Sequence, residues 1–229
     1  MCGRFLNRTP AAETARIFGT SNALPNFPPR YNLAPTEGVL AVRFNPDDGK
    51  RHLDVLRWGL IPLWAKDRTI GNKMFNARSE TVAEQPAFRE AFAKRRCIVP
   101  ADGFYEWKKI ASGKEPYAIV PAPGDRIFAF AGLWERWRDP ATGETVRSCT
   151  ILTTEPNEAL APLHDRMPVI LDRADWAKWL GEESAKRPEL HKLLKPFPAE
   201  RMRAYRVSQR VNNVRNDDEA LLVPEDPRA

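Results

Sequence analysis

Histidine and cysteine are scarce here, three of each among 229 residues. The cysteines (Cys2, Cys97 and Cys149) are odd in number and far apart, with no C-x-x-C pair. That excludes a disulfide framework and a zinc knuckle, and it fits a reducing cytoplasm. His52, His164 and His191 are widely spaced and no H-E-x-x-H occurs, so metal catalysis lacks a ligand set. There is no G-x-S-x-G nucleophile turn, no glycine-rich phosphate loop, no heptad pattern and no internal repeat. No run of 18 apolar residues is present to cross a membrane, and no secretory signal is recognisable. The expectation is a cytoplasmic, monomeric protein with no membrane association, no metal and no cofactor.

What is present is ordinary globular composition, 42% hydrophobic and 29% charged. Lys and Arg number 36 against 30 acids, a net charge of +6. The acids cluster late: Asp217, Asp218, Glu219, Glu225 and Asp226 stand against Arg228 alone. The body is therefore more basic than the whole, which is compatible with a polyanion partner. Residues 216–229 read as an acidic, flexible tail, and residues 1–215 as one domain, because no linker-like segment divides them.

Thr9 as N-cap, Pro10 at the first helical position and Gly19 predict a short first helix. Gly38–Phe44 and Leu53–Trp58 flank the turn 45–49 and predict a hairpin. A long irregular stretch, 59–79, holds Trp64 and Phe75 among Gly, Pro and Asn. Stretches of this length in compact domains are usually functional or disordered, and the aromatics argue against disorder. A helix is expected over 80–94. Strands follow at Arg96–Ala101, Gly103–Lys109, Tyr117–Val120, Ile127–Trp134 and Val146–Thr153. A short helix over Glu155–Leu163, a strand at Met167–Leu171, helices at Arg173–Leu180 and Pro188–Leu194, and a strand at Arg201–Val207 complete the pattern. Strands dominate without regular alternation with helices. That predicts an antiparallel or barrel-like sheet with flanking helices rather than a doubly wound fold.

The chain opens Met1-Cys2-Gly3-Arg4-Phe5. Removal of Met1 would give Cys2 a free α-amine beside its thiol, a 1,2-aminothiol. Such a pair captures an aldehyde twice, first as an imine and then as a five-membered thiazolidine. With an α-amine pKa of about 7.7–8.0, roughly a tenth to a fifth of the amine is neutral and nucleophilic near pH 7. A hydrolase could use the same pair, with the amine as base.

His164 lies between a predicted helix and strand, flanked by Asp165 and Arg166, which could tune its titration; a structural histidine is the alternative. Strand alternation sets Glu106 on one face with Phe104, and Tyr105 and Trp107 on the other. Burial among aromatics would favour its neutral form, whereas an arginine partner would favour the charged one. Asn76 can orient a nitrogen or oxygen without titrating. Arg78 can fork a phosphate, and Ser79 can cap a helix. Trp58 and Trp64, among Arg30, Arg43, Arg57, Lys66 and Arg68, read as a surface for stacking single-strand bases. Lys94-Arg95-Arg96 could add phosphate contacts or form a solvated face.

Taken together, Met1–Phe5, Arg30-Tyr31-Asn32-Leu33-Ala34-Pro35, Trp58-Gly59-Leu60-Ile61-Pro62, Asn76-Ala77-Arg78-Ser79-Glu80, Gly103–Trp107 and His164-Asp165-Arg166-Met167-Pro168 closely resemble the SRAP (SOS response-associated peptidase) family. The six blocks run in order from residue 2 to about 215. The resemblance implies a single α+β domain with a mainly antiparallel, barrel-like β core and flanking helices. It also implies a channel for single-stranded DNA, and sensing of abasic sites by a covalent thiazolidine crosslink in the DNA damage response. By motif, Cys2 would be the nucleophile, with Asn76, Glu106 and His164 around it, and Arg4, Arg78, Arg166, Trp58 and Trp64 would contact DNA. Weak lyase activity is compatible with an imine intermediate, and a cytoplasmic, nucleoid-associated location is expected. Thiol peptidase activity, including autoprocessing at Met1, and non-covalent single-strand binding are the alternatives.

Overall fold

A computed structural model describes residues 2–225. The chain opens with β1 (Phe5–Asn7) and α1 (Ala11–Phe18). The helix starts one residue later than its sequence signal, with Pro10 at the cap position. Thr9 does not cap it, because the Thr9 hydroxyl donates to Asp102 Oδ1 at 2.5 Å instead. Gly19, at φ 66°, terminates the helix in the left-handed conformation that glycine adopts without strain.

β2 (Arg30–Leu33) lies within the proline-rich stretch 25–35 that precedes the hairpin. β3 (Gly38–Asn45) and β4 (Lys50–Trp58) form the expected hairpin, paired from Gly38↔Arg57 to Asn45↔Lys50. β5 (Asn76–Arg78) and α2 (Arg89–Lys94) follow. The helix expected over 80–94 is therefore short. Pro86 disfavours helix at the preceding residue and lacks an N–H, so turns replace residues 80–88. β6 (Arg96–Ala101), β7 (Gly103–Ile110), β8 (Gly113–Pro121), β9 (Phe128–Arg138) and β10 (Thr145–Thr154) match the expected strands and extend most of them. Residues 155–163 are turns rather than a helix. Asn157 is buried there, accepting from Leu160 N at 3.0 Å and donating to Phe197 O at 2.7 Å. β11 (Met167–Pro168), α3 (Trp176–Leu180), α4 (Arg187–His191) and β12 (Met202–Arg206) complete the set.

Five strands close into a barrel in the order β4-β3-β6-β9-β10. The closing seam, β10 on β4, is parallel, so the barrel is mixed. The second sheet, β12-β8-β7-β1-β2, is antiparallel throughout. Strand alternation divides the core. Val39 and Ala41, Leu56 and Trp58, Cys97 and Val99, Phe128 and Phe130, and Cys149 and Ile151 share the barrel interior. Their strand neighbours Leu40, Val42, Ile98, Ala129, Ala131 and Leu133 pack outward against Phe18, Phe92, Trp176 and Trp179. Both faces are buried, so these strands read as continuous apolar runs rather than alternating ones. The second sheet joins the interior through Phe5, edge-on to Trp58 at 5.0 Å and to Phe130 at 6.0 Å. No described helix is long and apolar enough to cross a membrane.

The expectation of a free tail from residue 216 does not hold over 217–225. Asp217 accepts from the backbone N–H of Asn32 at 2.9 Å and from Arg30. The Asn32 side chain donates to the carbonyls of Val211, Asn213 and Asn216. Leu221 is 0% exposed, packed with Leu6, Tyr105 and Val211. The acidity that suggested a solvated tail instead satisfies the N–H groups of edge strand β2. Residues 226–229 lie outside the described residues. Leu221→Ala should lower the urea unfolding free energy by about 2–5 kcal/mol, the usual cost of an emptied leucine site. A change within about 0.5 kcal/mol would mean that the segment is free.

Candidate active site

Cys2 sits where the barrel interior meets the second sheet, clustered with Phe5, Trp58, Phe104 and Met167, and is 0% exposed. The β1–β7 ladder carries it there. Phe5 pairs Phe104, and one step nearer the N-terminus Tyr105 N donates to Arg4 O at 3.0 Å. The Cys2 thiol makes a long, 3.8 Å contact to Arg4 O. Burial pushes the thiol pKa up, and the Glu106 carboxylate pushes it further. A thiol in this state is a poor free nucleophile and is protected from adventitious chemistry.

Alternation on β7 holds as expected: Phe104 joins the barrel-side cluster, while Tyr105 and Trp107 pack on the other face. Glu106 is buried, and burial raises its pKa to about 7, with Asp165 adding to the rise. Burial outweighs every ion-pair influence here, and a carboxyl near pKa 7 is available both as acid and as base.

His164 Nε2 lies 3.9 Å from Glu106 Oε2. Its Nδ1 accepts from the backbone N–H of Arg166 at 3.0 Å and is 2.8 Å from Asp165 Oδ1. Burial lowers the His164 pKa, and Asp165 opposes that. The Arg166 N–H favours a ring proton on Nε2, facing Glu106, whereas the Asp165 carboxylate favours one on Nδ1.

Asn76 pairs Ile151 across a parallel β5–β10 contact. Its amide donates to Phe75 O at 3.0 Å. Its Oδ1 is buried with no hydrogen-bond partner among the described residues. An unmet buried acceptor costs stability and is suited to an incoming donor. Phe75 packs on the Cys2 cluster and meets Trp58 edge-on at 6.0 Å. Asn76 is thus held at the border of the same pocket. Among the described residues, no group of three His, Cys, Asp or Glu is placed to hold a metal.

The five residues expected to contact DNA separate. Trp64 is 58% exposed and borders an open cavity of about 570 Å³ with Lys66, Lys73 and Met74. Arg78 is exposed, with no ion pair among the described residues. Trp58 is a correction: it is fully buried, and its indole N–H donates to Phe75 O at 2.8 Å, so no base can stack on it. Its strand ends inside the barrel, and Gly59 turns the chain sharply at φ 126°, where a side chain would meet Gly71 O at 2.4 Å. Arg4 is engaged internally, donating to Asn32 Oδ1 at 2.9 Å and Val211 O at 2.8 Å. Arg166 is forked by Glu80 at 2.6 and 2.9 Å and also donates to Thr153 O at 2.6 Å. Sequence reading missed Glu80 and Thr153. Glu80 is 86 residues from Arg166, and only the fold brings them together. Its place in the Asn76–Glu80 block was the one available signal.

The family model described as "SOS response associated peptidase (SRAP)" matches residues 1–214. The chain is 42% identical over 224 residues to the abasic site processing protein YoqW of Bacillus subtilis, spanning 97% of this chain and 99% of that one. It is 35% identical to the abasic site processing protein HMCES of Gallus gallus, spanning 86% of this chain and 66% of the other. A crystallised protein from Bacteroides thetaiotaomicron superposes with a TM-score of 0.88 at 30% identity, covering 98% of this chain and 100% of that one.

The Glu106 shift has a signed consequence. Between its ordinary pKa of 4.5 and about 7, the folded state binds more proton than the unfolded state. Stability should therefore fall as pH rises through that window. The lowered His164 pKa acts oppositely, removing stability as pH falls below the ordinary histidine range. In Glu106→Gln, urea melts between pH 4.5 and 7.5 should lose the Glu106 component and fall less with rising pH than wild type. Parallel curves for the two proteins would mean that the carboxyl is not buried.

Proposed function

The chain belongs to the SOS response associated peptidase (SRAP) family, and from that premise we propose that it processes abasic sites in single-stranded DNA by covalent capture at Cys2. The observation that carries the reading is the buried Glu106, with a pKa near 7, 3.9 Å from the His164 ring and near enough to the Cys2 thiol to raise its pKa.

An abasic deoxyribose exchanges between a closed hemiacetal and an open aldehyde. Only the aldehyde is electrophilic at C1′. The His164–Glu106 pair assists ring opening by moving a proton from the hemiacetal hydroxyl to the departing ring oxygen. After Met1 is removed, the neutral Cys2 amine adds to C1′, and the proton it loses returns to the new hydroxyl. Protonated Glu106 then gives its proton as that hydroxyl leaves as water, and the resulting carboxylate takes the remaining N–H proton, leaving the imine. The Cys2 thiol adds to the imine carbon; its proton ends on the nitrogen, and Glu106 serves as relay. The product is a thiazolidine joining protein to DNA. The raised thiol pKa keeps sulfur protonated until the imine is in place, which orders the two additions. Asn76 Oδ1 is free to accept from the amine and hold it in register. Holding the sugar beside the amine makes attack effectively unimolecular, which supplies much of the rate.

Arg78 and Trp64 are the accessible contacts for the strand. Arg166 joins them where a phosphate replaces the Glu80 carboxylate in the same fork. The imine also permits β-elimination, so slow strand cleavage accompanies capture.

Incubation with single-stranded abasic DNA should give a band shifted on a denaturing gel, and intact mass should show loss of Met1 before adduct formation. Cys2→Ala should abolish the band. Glu106→Gln should slow its appearance by about 10²–10⁴-fold, the usual weight of general acid–base catalysis. A full-strength band from Cys2→Ala defeats the assignment. Salt-sensitive binding without any denaturant-resistant product would make the protein a non-covalent binder. Turnover of an unrelated peptide that is lost in Cys2→Ala would favour a thiol peptidase.

A further inference from the structure

The alternation that fills the barrel with apolar side chains also decides what stands at its two mouths. Going down the strands from the Cys2 end, the inward positions after Ala41, Leu56, Cys97, Gly132 and Cys149 are Arg43, Asp54, Arg95, Trp134 and Arg147. The far mouth is thus rimmed mainly by arginines, and with Lys94 these residues border an open cavity of about 560 Å³.

Part of that charge is neutralised. Arg43 pairs Asp54 at 2.6 Å and lies over the Trp134 ring at 4.2 Å. Arg95 pairs the buried Glu135 at 2.5 Å and reaches Glu90 at 3.5 Å. His52 is held by Asp48 at 2.7 Å, and Asp47 is the remaining acid on the rim. Lys94, Arg136 and Arg147 are exposed and have no ion pair among the described residues. Arg136 and Arg147 also stand directly opposite each other across the β9–β10 ladder. Like charges in that register repel and destabilise the pair. The fold carries this cost at a solvent-facing position, where any polar residue would serve the strand equally well.

We propose that the far mouth of the barrel is a second nucleic-acid contact, which takes the phosphodiester backbone of the same strand at a distance from the abasic site. It rests on the reading of the protein as a DNA binder. The uncompensated cations stand on three separate elements: Lys94 on α2, Arg136 on β9 and Arg147 on β10. A spread of this kind fits an extended polyanion rather than one small anion. Along β10, Arg147 is separated from Thr153, which anchors Arg166 near His164, by roughly 20 Å at about 3.3 Å per residue. Backbone at the stacked rise of ~3.4 Å per nucleotide covers that span in about six nucleotides. The contact belongs to the flank, and a short oligonucleotide centred on Cys2 does not reach it.

The test is fluorescence anisotropy across a salt series with a labelled, undamaged single strand of about 30 nucleotides, long enough for several stacking and backbone contacts. The variants are wild type, Arg78→Ala, and the triple variant Lys94→Ala, Arg136→Ala, Arg147→Ala. Each lost phosphate contact lowers the slope of log K against log salt by about 0.7 for single strands, so the triple variant should lose about 2. Thermal melts at low salt should show the triple variant at least as stable as wild type, because the Arg136–Arg147 repulsion is gone. A slope unchanged in the triple variant overturns the inference. A lowered slope in Arg78→Ala in the same titrations leaves the DNA reading standing. Wild-type affinity that ignores salt overturns both.

Discussion

The contact of Phe5 with Trp58 and Phe130 underlies everything at the active end of the molecule. β1 is only three residues long, too short to hold itself by ladder hydrogen bonds. Its position comes from seating an aromatic ring in the mouth of the barrel. Burial of one such side chain is worth about 1.5–3 kcal/mol. With Phe5 seated, Arg4 falls against Tyr105 and Cys2 into the join between the two sheets. A residue at the very start of a chain, ordinarily the least ordered place, is thereby held as firmly as the core.

The same burial sets the chemistry. It raises the pKa values of the Cys2 thiol and the Glu106 carboxyl and lowers that of the His164 ring, each in favour of the neutral form. A buried carboxyl with a pKa near 7, 3.9 Å from a ring whose charged form is disfavoured, can give up a proton and recover it near neutral pH. Asn76 adds an unmet acceptor to that pocket. Around it, the ionised groups are turned to structural use: Glu80 clamps Arg166 to Thr153, Asn32 clamps Arg4, and Asp217 clamps β2. The site is tightly tied at its rim, while Trp64 and Arg78 remain exposed.

Where sequence and structure disagree, long-range contacts account for the difference. Trp58 looked like a surface aromatic because it borders a loop rich in Gly and Pro. The parallel seam between β4 and β10 turns it inward, and nothing local encodes that seam. The acidic run from Asp217 looked solvated, yet Asp217 fills a gap in hydrogen bonding on a strand that lies some 185 residues away in sequence. The helix expected over 80–94 shrank at Pro86, a local signal that apolar periodicity outweighed. Thr9 had the right side chain for a cap, but Asp102 took its hydroxyl.

The sequence alone determined the strand-rich pattern, the β3–β4 hairpin, the two faces of β7 and the residue types available for reaction, because these depend on neighbours within a few positions. It also made Cys2 conspicuous, since only an N-terminal cysteine joins an amine to a thiol. The tertiary structure decided which of those residues meet. Glu106 and His164 are 58 positions apart, and only barrel closure and the docking of the second sheet bring them within 3.9 Å. The same closure buries the carboxyl and moves its pKa toward neutrality. Burial and proximity are properties of the packed whole, and no short stretch of chain specifies them.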